Sequence, residues 1–589
     1  MSPAAEASAI NEQLEEGLAL LGYERFRPGQ REAVETLIEE GRVLLVAPTG
    51  GGKSLTYQLP AVVLPGTTLV ISPLIALMND QVRALEERGI AATFIASTLS
   101  PDDMRERLSN LRRGQYKIVY VAPERLAFEG FRELLSQIDC PLVAVDEAHC
   151  ISEWGHDFRP EYAQIGEMLA LVRGSPRVIA CTATATPVVR DEIVAKLGLG
   201  TDTPQHVRGF ARPNLRLRAA EVSGKADRCR RVDALLAEAL GGPGSDRGAA
   251  IIYSPTRRMA EEEAQRLIDA GWKAGSYHAG LSPNLRESVQ RGFSNGSLEV
   301  IAATNAFGMG IDRSDVRAVI HLGPPGSIEA YYQEVGRAGR DGRDAWGLML
   351  SAPNDMPRRR RLLESDMDGR APDPRVIEHK WNLFLELMRW AEGGSCRHDA
   401  ILRYFGDEAE ALGGCGRCDV CESLDQTEQD AEEVSLLVRK ALSGVARVQH
   451  KFGLNAAAKL VRGAKDERLQ RAGLDQLSTY GILKEHSEDW LTRLLRRCVT
   501  AGWVGFTGGE HPLVFLTEEG ITVMKGERPA RLVLPPAHRP EASESRMARK
   551  RKVVASAEFS PDAKRLFDEL RAWRLQLSKD EGVPPYVIA

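Results

Sequence analysis

Val43-Leu44-Leu45-Val46-Ala47-Pro48-Thr49-Gly50-Gly51-Gly52-Lys53-Ser54 sets a strand-length apolar run against a glycine-rich turn that ends in Lys-Ser. The run reads as a buried strand. The glycines let backbone N–H groups turn onto phosphate oxygens at the N-terminus of a following helix, so Thr49, Gly50, Gly51 and Gly52 form a cradle. Lys53 then neutralises the β- and γ-phosphates, and Ser54 offers a hydroxyl to Mg²⁺. Such a loop usually opens on glycine where this chain has Ala47, so the match rests on Gly52-Lys53-Ser54. Taken alone, the stretch also reads as a plain strand-to-helix turn. A second stretch decides between the two readings. Val145-Asp146-Glu147-Ala148-His149 closes an apolar run from Leu142, which puts Asp146 at a strand end to hold the metal and Glu147 beside it to polarise the attacking water. Together they describe an ATP-hydrolysing site.

Working outward, short apolar runs at 43–46, 68–72, 116–121, 142–146 and 177–181 alternate with helix-like stretches, the signature of a parallel sheet covered by helices. A second series follows at 249–253, 273–278, 298–303, 317–322 and 346–351. Two tandem α/β domains are implied, the first ending near Gln205 to Arg212 and the second near Ala352. Ligands of such sheets bind beyond the carboxyl ends of the strands, so these motifs should converge on one crevice. The second domain adds Gln333-Glu334-Val335-Gly336-Arg337-Ala338-Gly339-Arg340, with Arg337 and Arg340 expected on one helical face and aimed at the γ-phosphate. An arginine so placed stabilises charge on the transferred phosphoryl group and is worth roughly 10³ to 10⁵ in rate.

The chain has 589 residues and a formal charge of -5, so several domains are expected, and nucleic acid would have to be held by a local basic surface. No apolar run approaches the roughly 20 residues a membrane span needs. The first residues lack an apolar signal core, and Glu6, Glu12, Glu15 and Glu16 argue against a transit peptide; a cytoplasmic location is the expectation. Of nine cysteines, Cys396, Cys415, Cys418 and Cys421 are spaced for tetrahedral zinc, two overlapping C-x-x-C turns closed by a distant thiolate. With four thiolates there is no open position, so the zinc is structural. Cys140, Cys150, Cys181, Cys229 and Cys498 read as small core residues.

After Ala352 the pattern is helical through the cysteines. Residues 430–530 then read as helices followed by a hairpin, Trp503 to Phe506 and Leu513 to Leu516 around Thr507-Gly508-Gly509-Glu510. A helix from Asp489 to Thr500, capped by Ser487, leads into it as in a winged helix. Arg493, Arg496 and Arg497, with residues near Arg462, either contact duplex backbone or decorate a solvated face. The same two readings apply to Arg358 to Arg361. His511 lies near the hairpin tip, which carries no aromatic wedge. Residues 532–557 contain three prolines and the basic run Arg546 to Lys552, either a solvated charge run or a tether drawn to phosphates. Leu566, Phe567, Leu570 and Trp573 share a helical face in a segment too short to bury them, so this helix docks elsewhere or belongs to a longer domain.

These motifs strongly resemble the RecQ family of DNA helicases, a DEAH-type branch of helicase superfamily 2, over roughly Leu18 to Leu534. The glycine loop, Ser72-Pro73-Leu74-Ile75-Ala76-Leu77-Met78, Asp146 to His149, Thr182-Ala183-Thr184, Ala303 to Asp312 and Gln333 to Arg340 are similar to its motifs I, Ia, II, III, V and VI. Leu21 to Gln30 resembles motif 0, which implies that Tyr23 and Arg27 pack around adenine and Gln30 reads its edge. Ile151 to Pro160 resembles the family's aromatic-rich loop, coupling DNA binding to hydrolysis. On their own chemistry Trp154 and Phe158 offer stacking faces and His156 and Arg159 polar contacts, stacking being worth roughly 1–3 kcal/mol per base; core packing is the other reading of the two aromatics.

The resemblance implies two RecA-like parallel-sheet domains (1–210 and 211–352), a helical zinc-binding module (353–425), a winged-helix domain (430–531), a basic linker (532–557) and the start of an HRDC-like domain (558–589). It implies ATP, Mg²⁺ and Zn²⁺ as cofactors, Asp312 at the nucleotide, and Ser72, Thr304, Arg493, Arg496 and His511 at DNA. The function implied is 3′ to 5′ translocation on single-stranded DNA and unwinding in recombination and repair, with a single-strand-binding protein as a protein partner and a location at the nucleoid. An RNA helicase and an ATP-switched DNA-junction binder are the rival readings.

Overall fold

Interior strands of both sheets, Leu142–Val145 and Val300–Ala303 among them, are buried at every position, as parallel strands are when helices cover both faces. The structure, a computed structural model, describes residues 3–48, 50–153, 155, 157–308, 313–352, 354–365, 373–407, 410, 413–426, 431–507 and 513–535. Thr49, Trp154, His156, Asp312 and His511 lie outside the described residues, as do the basic run 546–552 and the segment 558–589.

In the first lobe the strands are β1 (Arg42–Val46), β2 (Thr68–Ile71), β3 (Ala92–Ile95), β4 (Ile118–Val121), β5 (Leu142–Val145), β6 (Arg177–Thr182) and β7 (Gln205–Val207). They form one parallel sheet in the order β3-β4-β2-β5-β6-β1-β7. The second lobe has β8 (Leu215–Glu221), β9 (Ala249–Tyr253), β10 (Ala274–Tyr277), β11 (Val300–Ala303), β12 (Val316–His321) and β13 (Ala345–Ser351), again parallel, in the order β10-β11-β9-β12-β13-β8. The five runs expected in each lobe are present, and the sheets gain β3, β7 and β8. The register sets Val46 beside Thr182 and Val145 beside Ala180, so β6 separates β1 from β5. The carboxyl ends of β1, β5 and β6 therefore open side by side.

Helices Asp355–Glu364, Pro374–Glu392, Arg397–Phe405 and Asp419–Gln426 follow, and then Ala431–Val448, Leu454–Arg462, Glu467–Arg471 and Glu488–Thr500. The last is capped by Ser487, whose hydroxyl accepts from the Trp490 N–H, and leads into the antiparallel hairpin β14 (Val504–Phe506) and β15 (Val514–Leu516). A further helix, Glu518–Lys525, closes the winged helix. The expected linker start at 532 is corrected: Leu532 is buried, Leu534 packs on the winged-helix core, and the Val533 N–H donates to Gly394 O at 3.0 Å. These apolar side chains anchor the segment before any linker begins. No helix among the described residues is long and apolar enough to cross a membrane.

Candidate ATP site and zinc centre

The glycine loop leaves β1 and enters the helix Lys53–Val63. Lys53 Nζ donates to Ala47 O at 2.9 Å and Pro48 O at 3.3 Å, folding back over the loop. Ser54 follows it in the first turn. Gln30 lies against the same loop. Its amide nitrogen donates to Gly52 O at 2.9 Å and its oxygen accepts from the Arg27 N–H at 2.7 Å, while Arg27 Nη1 donates to Gly50 O at 2.5 Å. Tyr23 is 42% exposed and, with residues 22–28, lines a cavity of about 550 Å³. A guanidinium and an amide thus sit at the edge of the phosphate loop, with Tyr23 lining the hollow beside Arg27.

Asp146 lies just past β5, its backbone oxygen accepting from the Tyr162 hydroxyl at 2.9 Å. Burial and then the adjacent Glu147 carboxylate push its carboxyl up to about 7, against the pull of Lys53, the Glu147 amide and the Ser72 hydroxyl. Asp146 is buried beside Glu147, whose side chain is 18% exposed, and Lys53 is the cation that acts on it, so the donor set is short of positive charge and fits a divalent cation, which Asp146 and Ser54 would hold. Glu147 adopts a left-handed backbone, φ 48°, which turns the chain sharply so that its side chain and His149 come within 3.4 Å. His149 is 2% exposed and its Nδ1 is hydrogen-bonded to Thr182 Oγ1 at 2.9 Å. Thr182 in turn takes the Thr184 N–H on its hydroxyl at 3.2 Å and the Ala47 N–H on its carbonyl at 3.0 Å. Hydrogen bonds therefore join His149 to the phosphate loop through the end of β6, with the Glu147 carboxylate 3.4 Å from the His149 ring.

The second lobe completes this face. The expectation that Arg337 and Arg340 share a helical face is corrected. The helix Ile328–Val335, which carries half-buried Gln333, ends at Gly336, and both arginines lie in the turn that follows. They diverge. Arg337 is buried and donates to Gly308 O. Arg340 crosses to the first lobe: a Cβ at Gly50 would stand 3.4 Å from Arg340 Nε and 3.5 Å from its Cδ. Gly50, at φ +82°, suits a residue without a side chain both in backbone and in space.

The DNA candidates separate. Phe158 is 38% exposed, with Lys196 5.8 Å over its ring, so it is a surface aromatic and not a core residue. Arg159 is half-buried and pairs with Asp157 at 3.3 Å. Thr304 follows β11, its N–H donating to Tyr277 O at 3.1 Å. Ser72, expected at DNA, is 1% exposed, just past the carboxyl end of β2 where that strand runs beside β5. On the winged helix, Arg497 donates to Val533 O at 2.6 Å, so its expected free face is corrected; the helix packs inward on Pro374–Glu392. Arg493 pairs with Asp489, Arg462 Nε donates to His486 O at 3.3 Å, and Arg496 stays exposed. Arg358 pairs with Asp355, Arg359 lies over Phe384 and Arg360 pairs with Glu364, as a helix surface does.

The Sγ atoms of Cys396, Cys415, Cys418 and Cys421 all lie within 4.8 Å of one another, Cys415 and Cys421 at 4.0 Å. Zinc–sulfur bonds of about 2.3 Å in a tetrahedron need sulfurs about 3.8 Å apart, so the cluster fits zinc. Backbone N–H groups of Arg397 and Cys421 donate to Cys418 Sγ at 3.4 Å, and that of Cys415 to Cys396 Sγ at 3.2 Å, favouring thiolates. Burial pushes the Cys140, Cys181 and Cys498 thiols up to about 12, leaving them inert. Cys229 is only half-buried, on the helix Lys225–Leu240, not in the core as expected. The sequence reading passed over Tyr162 as a support of Asp146; a tyrosine among polar loop residues gives no local signal.

Family models match four successive segments: DEAD/DEAH box helicase over residues 27–192, helicase conserved C-terminal domain over 231–342, RecQ zinc-binding over 353–422 and RQC domain over 428–541. The chain is 38% identical to the ATP-dependent DNA helicase RecQ of Bacillus subtilis, over 96% of this chain and 89% of that one. It is 35% identical to the protein of the same name in Haemophilus influenzae, over 97% and 88%. A solved structure of the DUF1998 helicase MrfA bound to DNA matches 68% of this chain and 57% of its own at 19% identity and TM-score 0.48. Neither the RNA-helicase reading nor the junction-binder reading finds support in these relatives. With the helicase models in tandem, the cysteine cluster and full-length relatives in agreement, the chain belongs to the RecQ family of ATP-dependent DNA helicases.

Proposed function

We infer that the protein couples ATP hydrolysis between its two lobes to 3′ to 5′ movement along single-stranded DNA and to separation of the duplex ahead. The observation that carries this reading is Arg340 of the second lobe lying across Gly50 in the phosphate loop of the first, because a nucleotide there touches both lobes and its cleavage changes how they fit. In this reading Tyr23, Arg27 and Gln30 bind the base, and Thr49 to Ser54 and Asp312 bind the rest of the nucleotide. Ser54 and Asp146 would hold Mg²⁺, which would supply positive charge against the phosphates. Glu147 orients the attacking water and takes its proton, Gln333 and Arg337 order the interlobe face, and Arg340 stabilises charge on the transferred phosphoryl group. The polar chain from Glu147 through His149 and Thr182 reports that event toward the loop bearing Trp154, His156, Phe158 and Arg159, which with Thr304 grips the strand by stacking and phosphate contacts. Exposed Arg496, with Arg493 and His511 near it in sequence, is the duplex-facing edge. The work is recombination and repair on nucleoid DNA in the cytoplasm, with a single-strand-binding protein as partner for the strands released.

DNA-stimulated ATP hydrolysis, measured together with unwinding of 3′- and 5′-tailed duplexes, tests the reading. Stimulation by single strands and unwinding of the 3′-tailed substrate are expected. Equal hydrolysis with and without DNA would reject the coupling, and unwinding confined to 5′ tails would reject the direction.

A further inference from the structure

The segment between the lobes does more than connect them. Arg212 turns its guanidinium into the turn that carries Arg337 and Arg340: Nη1 donates to Gly336 O at 3.2 Å, and Nη2 to Ala338 O at 2.7 Å and Gly339 O at 3.2 Å. Asn214 adds a second tie, Nδ2 donating to Gly339 O at 2.8 Å and Arg343 O at 2.9 Å. Gly339, at φ +63°, sits so close that a Cβ would stand 2.4 Å from the Asn214 amide nitrogen. The segment is itself held. Phe210 clusters with Tyr332 and Phe405, its ring centroid 5.4 and 4.5 Å from theirs, and the Tyr332 hydroxyl donates to Phe210 O at 2.9 Å. Glu410 of the zinc module accepts the Gly209 and Ala211 N–H groups, one on each carboxylate oxygen, at 3.0 and 2.8 Å.

The amides of Arg337, Ala338 and Gly339 bond to Glu334 O, Val335 O and Val316 O at 3.3, 3.1 and 2.9 Å, and those bonds alone would not keep two guanidinium groups within an ångström of a working geometry. Here its carbonyls are held by a planar, always charged fork, and charge-assisted bonds of this kind are about twice as strong as neutral ones. We propose that Arg212 is a positioning residue for hydrolysis: the strap Gly209–Asn214, seated by Glu410 of the zinc module, fixes the turn Gly336–Arg340 and so the reach of Arg340 to the phosphate loop. Arg212 touches neither nucleotide nor reacting atoms, and its role rests on Arg340 acting as inferred above.

The test is steady-state ATP hydrolysis at saturating single-stranded DNA for Arg212→Ala, Arg212→Lys, Arg340→Ala and the Arg212→Ala/Arg340→Ala double variant. Zinc content and thermal midpoint are measured alongside. A displacement of about 1 Å in a catalytic group costs up to about 100-fold in rate. Arg212→Ala is therefore expected to lower kcat roughly 10- to 100-fold with KM for ATP within about threefold, and Arg212→Lys, a single ammonium for three carbonyls, to recover part of it. In the Arg340→Ala background the Arg212 change should add little, since a group that is gone cannot be misplaced. Full additivity overturns the proposal, as does an unchanged kcat in Arg212→Ala while Arg340→Ala is slow. A normal kcat in Arg340→Ala would instead reject the underlying assignment of Arg340. If Arg212→Ala does not fold, Asn214→Ala goes through the same cycle, and additivity there overturns the proposal equally.

Discussion

Replacing Thr182 by valine keeps the shape of a fully buried side chain and deletes one oxygen. That oxygen is hydrogen-bonded to His149 Nδ1 at 2.9 Å and accepts the Thr184 N–H at 3.2 Å. Removing a partner from a buried polar group costs about 1–3 kcal/mol, and one of the two groups, the His149 ring, keeps a second polar neighbour in Glu147 at 3.4 Å. We expect the first lobe to lose roughly 1–3 kcal/mol in urea unfolding, and Thr182→Ser, which retains the hydroxyl, to lose much less. The kinetic consequence is separate. Thr182 also stands next to Ala47, on the path from the phosphate loop to Glu147 and the loop beyond it. If that bond transmits nucleotide state, its loss removes about 1.5–3 kcal/mol from the coupled transition state, or roughly 10- to 100-fold in DNA-stimulated kcat. ATP affinity should be nearly unchanged, because no group on the phosphate cradle is removed. Matched titrations of ATP and single-stranded DNA for wild type, Thr182→Val and Thr182→Ser decide the matter. A Thr182→Val protein that unfolds and hydrolyses like wild type would refute the reasoning, and one that loses stability alone would show a structural bond without a signalling role.

Glu147→Gln should bind ATP with near-normal affinity while hydrolysis and unwinding fall together by at least about 100-fold; unwinding that survives would refute the coupling, as read by single-turnover hydrolysis and strand displacement. Cys418→Ser removes one of four thiolates and should release zinc and lower the thermal midpoint, by metal analysis and calorimetry; an equally stable zinc-free protein would contradict a structural metal. Asp407 is pushed up to about 6, by burial and then by Glu410. A carboxyl raised on folding favours its neutral form, so its contribution is present below about pH 4 and lost as pH rises through about 6. Asp407→Asn should therefore stabilise the protein by about 1 kcal/mol at pH 7.5 and by little at pH 4.5, followed by urea unfolding at both pH values; an equal gain at both would remove the titration argument.

Local sequence carries the parts of this protein whose physics is local. Continuous apolar runs such as Leu142 to Val145 declare strands buried on both faces, and Gly52-Lys53-Ser54 and the Cys415-Cys418-Cys421 spacing declare the ligands they hold, because phosphate and zinc each demand fixed donors a few residues apart. Of the strands that escaped notice, β3 is buried at every position, whereas β7 and β8 lack that signal. In β8, Leu215 and Leu217 alternate with Arg216 and Arg218, which pair outward with Asp344 and Glu238, as suits an edge strand. The seven-residue β8 becomes a strand only by pairing with β13. The three residues of β7 likewise depend on β1.

What the chain could not declare is where long-range contacts send a side chain. Arg337 and Arg340 look like a helical pair until Gly336 ends the helix, and only the opposite lobe reveals that one turns inward and the other crosses to Gly50. Ser72, expected at DNA, is buried just past the end of β2, whose register against β5 pairs Ile71 with Val145. Arg497 looks like a nucleic-acid contact until Val533 takes its guanidinium. Residue type and spacing decided which chemistries are available, since those depend on the nearest few bonds. The tertiary fold decided which of them meet, because strand order and lobe packing join residues hundreds of positions apart that no local pattern connects.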